Sequence, residues 1–110
     1  MLVIREEQYR RLLERQRRNY TEWALDRVRA DYAEEYARMG EHGSREFVQA
    51  GMAKADQYGI QDGSHVLELI DMMFAWGRDF DLDLPWAGSV LRWDVPGRTK
   101  IQALRNGPRA

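Results

Sequence analysis

Val66-Leu-Glu-Leu-Ile-Asp-Met-Met-Phe-Ala-Trp76 is the stretch on which the fold turns. Its polar residues are Glu68 and Asp71, three apart, so on a helix they share one narrow stripe with Ser64 above it. The rest of the circumference is apolar. A helix apolar nearly all round has to be enclosed by other elements. The stretch is therefore read as a central, buried third helix. Ser64 caps it after the Gln61-Asp-Gly-Ser64 turn, and Gly77 ends it. Leu67, Ile70, Met73 and Phe74 are placed at the heart of the core, where truncation to alanine is expected to cost about 2–5 kcal/mol.

Upstream, residues 5 to 38 contain no proline or glycine. Tyr9, Leu13, Tyr20, Trp23, Ala24, Val28, Tyr32, Tyr36 and Met39 recur mostly three or four apart, the spacing of one helical face. Core is the reading for Trp23 and these tyrosines. A straight helix of that length would run to about 45 Å, longer than a domain of this size can cover. A break is expected near Asp31 to Glu35, with Gly40 supplying a left-handed cap. A second helix is expected from Ser44, as N-cap, to Gln57. Its inner face is Phe47, Val48, Gly51, Met52 and Ala55, with Gly51 permitting close helix approach.

Downstream, Asp79-Phe-Asp-Leu-Asp83 is read as a loop with Phe80 and Leu82 tucked in and the carboxylates out. Pro85 suits the first position of a fourth helix, with Trp86, Val90 and Leu91 facing in. Pro96-Gly97 breaks the chain again, and Thr99 to Leu104 is a candidate last helix before a frayed end. The expected fold is all-α: a compact bundle of four to five helices, with a helical domain over 1–95 and a basic tail over 96–110.

The chain has 110 residues, no cysteine and net charge −1. One domain fits that length, and disulfide frameworks and thiolate metal sites are excluded. Bulk charge does not recommend nucleic-acid binding. No window is apolar enough to span a membrane, and the opening Met1-Leu-Val-Ile-Arg5 is too short for a signal-peptide core, so a cytoplasmic location is expected. Residues 41–83 carry nine acids and three bases, and residues 84–110 five bases and one acid. An acidic middle thus precedes a basic tail, which either packs on that surface or forms an arm.

Catalytic signatures are missing. His42 and His65 stand outside any motif, and Ser44, Ser64 and Ser89 lie near proposed helix starts, where capping explains them. Asp79, Asp81 and Asp83 alternate like the first ligands of a calcium loop. The loop's sixth position, however, holds Leu84 in place of glycine, and its twelfth Val90 in place of glutamate. No metal, cofactor or enzymatic activity is expected. Trp86 and Trp93 are seven apart and share a helical face. Core is the reading for Trp86, and either core or interface for Trp93.

The words Gln57-Tyr-Gly-Ile60, Leu69-Ile-Asp-Met-Met-Phe74, Gly77-Arg-Asp-Phe-Asp81 and Leu84-Pro-Trp-Ala87, with the opening Met1-Leu-Val-Ile-Arg-Glu-Glu-Gln8, resemble small helical bacterial proteins. Those proteins are encoded beside type VI secretion spike proteins, PAAR-domain tips and toxin effectors. The likeness covers roughly residues 1–91. This chain departs from the pattern at Asp31-Tyr-Ala-Glu-Glu35, where the family tends to carry a proline-containing break, and in its basic tail. The resemblance implies an accessory role: an adaptor or co-chaperone that binds a secreted effector or its chaperone before loading. An immunity protein that inhibits a cognate toxin is the alternative. The partner is a protein, with no nucleic acid or membrane, and self-association stays open. The expected partner surface is Glu68, Asp71, Asp79, Asp81, Asp83, Trp86 and Trp93, the acids steering a basic partner and the aromatics supplying contact area.

Overall fold

The computed structural model describes residues 6–108, and side chains from Arg11 onward, Leu12 excepted. The opening Met1 to Arg5, the side chain of Tyr9 and the last two residues lie outside the described residues. The fold is all-α. Helices α1 (Glu6–Asp31), α2 (Ala33–Gln57), α3 (Gly63–Trp76), α4 (Phe80–Asp83), α5 (Pro85–Leu91) and α6 (Gly97–Asn106) follow one another along the chain. They fall into two units, Met1–Arg45 and Glu46–Ala110.

In the first unit α1 stops at Asp31, inside the stretch where a break was expected. Tyr32 is the only residue between α1 and α2, and backbone hydrogen bonds pass across it, Tyr32 to the Val28 carbonyl and Tyr36 to the Tyr32 carbonyl, both at 2.8 Å. The buried stripe of α1 is Thr21, Ala24, Leu25 and Val28. Trp23 is 46% exposed, which corrects its reading as core. Its neighbours on the aromatic stripe, Tyr20, Tyr32 and Tyr36, are half-buried.

Gly40 adopts φ 78°, a conformation that side-chain-bearing residues resist, and it interrupts α2. The helix resumes at once, so Ser44 is not its N-cap. Ser44 lies a turn inside the helix, fully buried, and its hydroxyl has no hydrogen-bond partner among the described residues. Arg45 instead reaches back along this unit to the carboxylates of Glu22 and Glu41.

In the second unit α3 is the buried helix that its composition demands. Leu69, Ile70 and Met73 are fully covered, and Val66 and Met72 nearly so. Leu67 and Phe74, placed at the core's heart by the sequence reading, are only half-buried, and Leu69 takes the central place. The N-cap is Asp62, not Ser64: its carboxylate accepts the Ser64 backbone N–H at 2.9 Å and the Ser64 hydroxyl. These bonds hold the Asp62 carboxyl below the ordinary carboxylate range.

Phe47 of α2 stacks on Phe74 of α3 at 4.4 Å between ring centroids. Gly51 lies against Ile70, where an added Cβ would come within 2.5 Å of the isoleucine side chain. The close approach expected of Gly51 is therefore present. Pro85 opens α5, as expected. Val90 and Leu91 are buried. The last helix is longer than Thr99–Leu104 and starts directly after Pro96, with Ile101 and Leu104 buried as it packs on α3 and α5.

Candidate functional site

The segment Asp79 to Asp83 is not a loop. Its backbone closes into a helical turn, with the N–H groups of Leu82 and Asp83 bonding the Asp79 carbonyl at 2.8 and 2.9 Å. Successive side chains on a helix are about 100° apart, so alternate residues do not share a side. Phe80 and Asp81, adjacent in sequence, both point into the core, while Leu82 is 71% exposed. The expected arrangement, Leu82 in and all three carboxylates out, is therefore corrected. Asp79 and Asp83 are exposed.

Asp81 is 4% exposed and fully engaged. Lys54 of α2 donates to its Oδ1, and the Tyr58 hydroxyl donates to Oδ2 at 2.6 Å. The Lys54 ammonium also lies 5.7 Å from the centroid of the Phe80 ring. A second buried ammonium, Lys100 of α6, donates to the Tyr58 carbonyl at 2.6 Å. Tyr58 thus links α4 and α6 through its two ends. Burial first, then the bond to Asp81 and its charge, push the Tyr58 phenol up to about 12. Such a network is structural chemistry, since both carboxylate oxygens are occupied and Asp81 itself is buried. Sequence reasoning missed it. Lys54 and Tyr58 one helical turn apart, with an acid downstream, was the available signal.

Glu68 and Asp71 do share a stripe of α3, but they differ in environment. Glu68 is half-buried and paired with Arg105 of α6, whereas Asp71 is exposed. The basic tail thus docks on the acidic stripe through at least one ion pair. Among the described residues no three His, Cys, Asp or Glu side chains are gathered as metal ligands. None of the described helices is long and apolar enough to cross a membrane.

Trp93 lies two residues beyond the end of α5, in a bend, so it does not share a helical face with Trp86 as the spacing predicts. Trp86 and Trp93 line one open groove of about 430 Å³ between α5 and the end of α6, whose wall also includes Val90 and Ala103 and the polar side chains of Ser89 and Asn106. Trp86 is half-buried. Its ring meets Trp76 edge-on at 5.5 Å, and Trp76 in turn meets Phe80 at 5.5 Å. Trp93 is 45% exposed at the groove's edge. A fixed aromatic floor with a second, half-solvated indole at the rim is a surface that can bury a partner's apolar side chain. Of the seven expected surface residues, the structure brings Trp86 and Trp93 together. It leaves Asp71, Asp79 and Asp83 exposed, ties Glu68 to Arg105 and buries Asp81.

No protein family, curated protein or solved structure matches this chain.

Proposed function

We propose that this chain is a non-enzymatic binding module, an adaptor or co-chaperone that holds a type VI secretion effector or its chaperone before loading. The observation that carries the reading is the groove of Trp86 and Trp93. It brings two indoles together, one half-buried and one 45% exposed, with no charged side chain in its lining. An apolar anchor from the partner would fill it, and the exposed carboxylates of Asp71, Asp79 and Asp83 would favour a partner with basic residues beside that anchor. The mechanism is stoichiometric binding. Asp81 plays no part in it, because its carboxylate belongs to the internal network.

The alternative, an immunity protein, uses the same groove to occlude a toxin. Two phenotypes separate them. Deleting an adaptor abolishes delivery of the effector while leaving cells tolerant of the isolated toxin domain as before. An immunity protein rescues cells that express that domain. Normal delivery in the deletion strain, together with no rescue of toxin-expressing cells when the chain is supplied, would contradict both.

A further inference from the structure

The chain's two asparagines, Asn19 and Asn106, are both exposed, yet their surroundings differ. Asn19 lies within α1 and is followed by Tyr20. Asn106 is the last residue of α6 and is followed by Gly107, which adopts φ 81°. No Cβ stands beside the Gly107 nitrogen, and one placed there would meet no atom within 4 Å. That nitrogen donates to the Leu104 carbonyl at 3.1 Å, in the helix's final turn. Asn106 also lines the groove of Trp86 and Trp93, together with Ser89, Gly107 and Pro108.

We infer that Asn106 is a self-modification site, which converts to aspartate or isoaspartate and so places a negative charge in the groove. The Gly107 backbone nitrogen, its proton taken by hydroxide, attacks Cγ of Asn106. A new C–N bond closes a five-membered succinimide, the Cγ–Nδ2 bond breaks, and Nδ2 takes a proton from water and leaves as ammonia. Water then adds to one of the two ring carbonyls and opens the ring. Attack at one gives aspartate, and attack at the other gives isoaspartate, whose main chain runs through the former side chain.

Ring closure requires the following nitrogen to leave its helical bond and approach the side chain. At Asn106 only a bond of the terminal turn has to open, whereas at Asn19 the helix continues on both sides. Glycine leaves the approach unhindered, and the Tyr20 side chain does not. Asp62-Gly63 has the same kind of neighbour, but its carboxylate accepts from the Ser64 N–H and hydroxyl and is held in the ionised form, a poor electrophile. Before conversion the groove's lining holds no charged side chain. Afterwards a carboxylate lies at the negative end of α6, beside the indoles. Isoaspartate also lengthens the main chain by one methylene just ahead of Gly107 and Pro108. On the reading of the groove as a docking site, on which this consequence rests, the converted chain must desolvate a carboxylate to take an apolar anchor.

Peptide mapping by mass spectrometry, on the full chain incubated at mildly alkaline pH, tests the site. Asn106 is expected to convert more than about ten-fold faster than Asn19, with isoaspartate among the products. Asn106→Gln should stay intact over the same period. The charge is read without any partner, by quenching the indole fluorescence of Asn106→Asp. Iodide should quench it less than the wild type and acrylamide equally, and the difference should vanish once Trp93→Phe is added. An Asn106 that stays amidated, or that converts no faster than Asn19, overturns the site. Equal iodide quenching of wild type and Asn106→Asp overturns the placing of the charge in the groove. Both readouts use the chain alone, so a failure to capture a partner bears on the docking reading and not on this one.

Discussion

Lys54 and Asp81, 27 residues apart in the chain, meet as a buried ion pair whose side chains are 10% and 3% exposed. The pair joins α2 to the short turn α4, and the Tyr58 hydroxyl completes the carboxylate's bonding. It holds the segment that leads into the tryptophan-bearing helix α5, so the groove rests on it without using it.

Removing one partner of such a pair leaves an uncompensated buried charge, a cost of about 3–5 kcal/mol. Lys54→Met is therefore expected to lower urea-unfolding stability by that amount. The double variant Lys54→Met with Asp81→Leu should recover most of the loss. A single variant within about 0.5 kcal/mol of wild type would show the pair to be solvated.

Two titrations bracket the stable range. Burial raises the Asp81 carboxyl, but hydrogen bonds from Lys54 and Tyr58 more than reverse it, leaving it below the ordinary 3.8. Its contribution is complete above that value and is lost as pH falls beneath it. Tyr58 shifts the other way, from 10.0 to about 12. The folded state keeps the phenol proton that the unfolded state gives up, so this contribution is complete below pH 10.0 and declines between 10.0 and about 12. Ultraviolet absorbance titration should show a late tyrosine step that Tyr58→Phe removes. If all tyrosines titrate together near 10.0, the buried bond to Asp81 is wrong.

Two glycines mark helix approaches that tolerate no side chain. A Cβ on Gly51 would crowd the Ile70 and Met73 side chains, whereas one on Gly88 would meet the backbone carbonyl of Asp81, which has still less freedom to move. Overpacking costs about 1–3 kcal/mol, against a helix-propensity gain of up to about 1 kcal/mol for alanine. Thermal unfolding should rank Gly88→Ala as more damaging than Gly51→Ala. The reverse order would contradict the packing described.

Ser44 distinguishes the expected cap from the observed interior position. Loss of an N-cap serine costs about 1 kcal/mol. Loss of a buried hydroxyl without a partner removes a desolvation penalty of about 1–3 kcal/mol. Ser44→Ala is thus expected to leave stability unchanged or raise it, and a loss of about 1 kcal/mol would restore the capping role.

How far the chain could be read follows from what each segment's order depends on. The buried α3, the break near Asp31 and the Pro85 start depend on periodicity and on local backbone chemistry, and both are visible in sequence. The nearness of Trp86 and Trp93 was expected for the wrong reason: α5 ends at Leu91, and Trp93 reaches the groove from the bend that follows, not from a shared helical face. The turn at Asp79–Asp83 was misread because an alternating apolar–acidic pattern fits a loop as well as a helical turn. Only Lys54 of α2 and Tyr58, the residue just after that helix, decide which carboxylate goes inward. Leu67 was misplaced although the sequence held the answer: at 100° per residue Leu69 lies about 130° from the stripe of Glu68 and Asp71, and Leu67 only about 70°. The caps failed by small shifts: Asp62 lies two residues before the serine expected in that role, and Gly40 restarts its helix at once.

The central claim is that the Trp86–Trp93 groove captures a protein partner. The most direct measurement is affinity capture of the tagged chain from cells expressing its native gene neighbours, with Trp93→Ala in parallel. Trp93 lies on the surface, so its truncation should leave the fold intact. The account predicts a stoichiometric complex with a neighbouring toxin effector or its chaperone, and its loss in the variant. Recovery of the bare chain from cells shown to make those neighbours, or a complex that Trp93→Ala leaves undiminished, would contradict it.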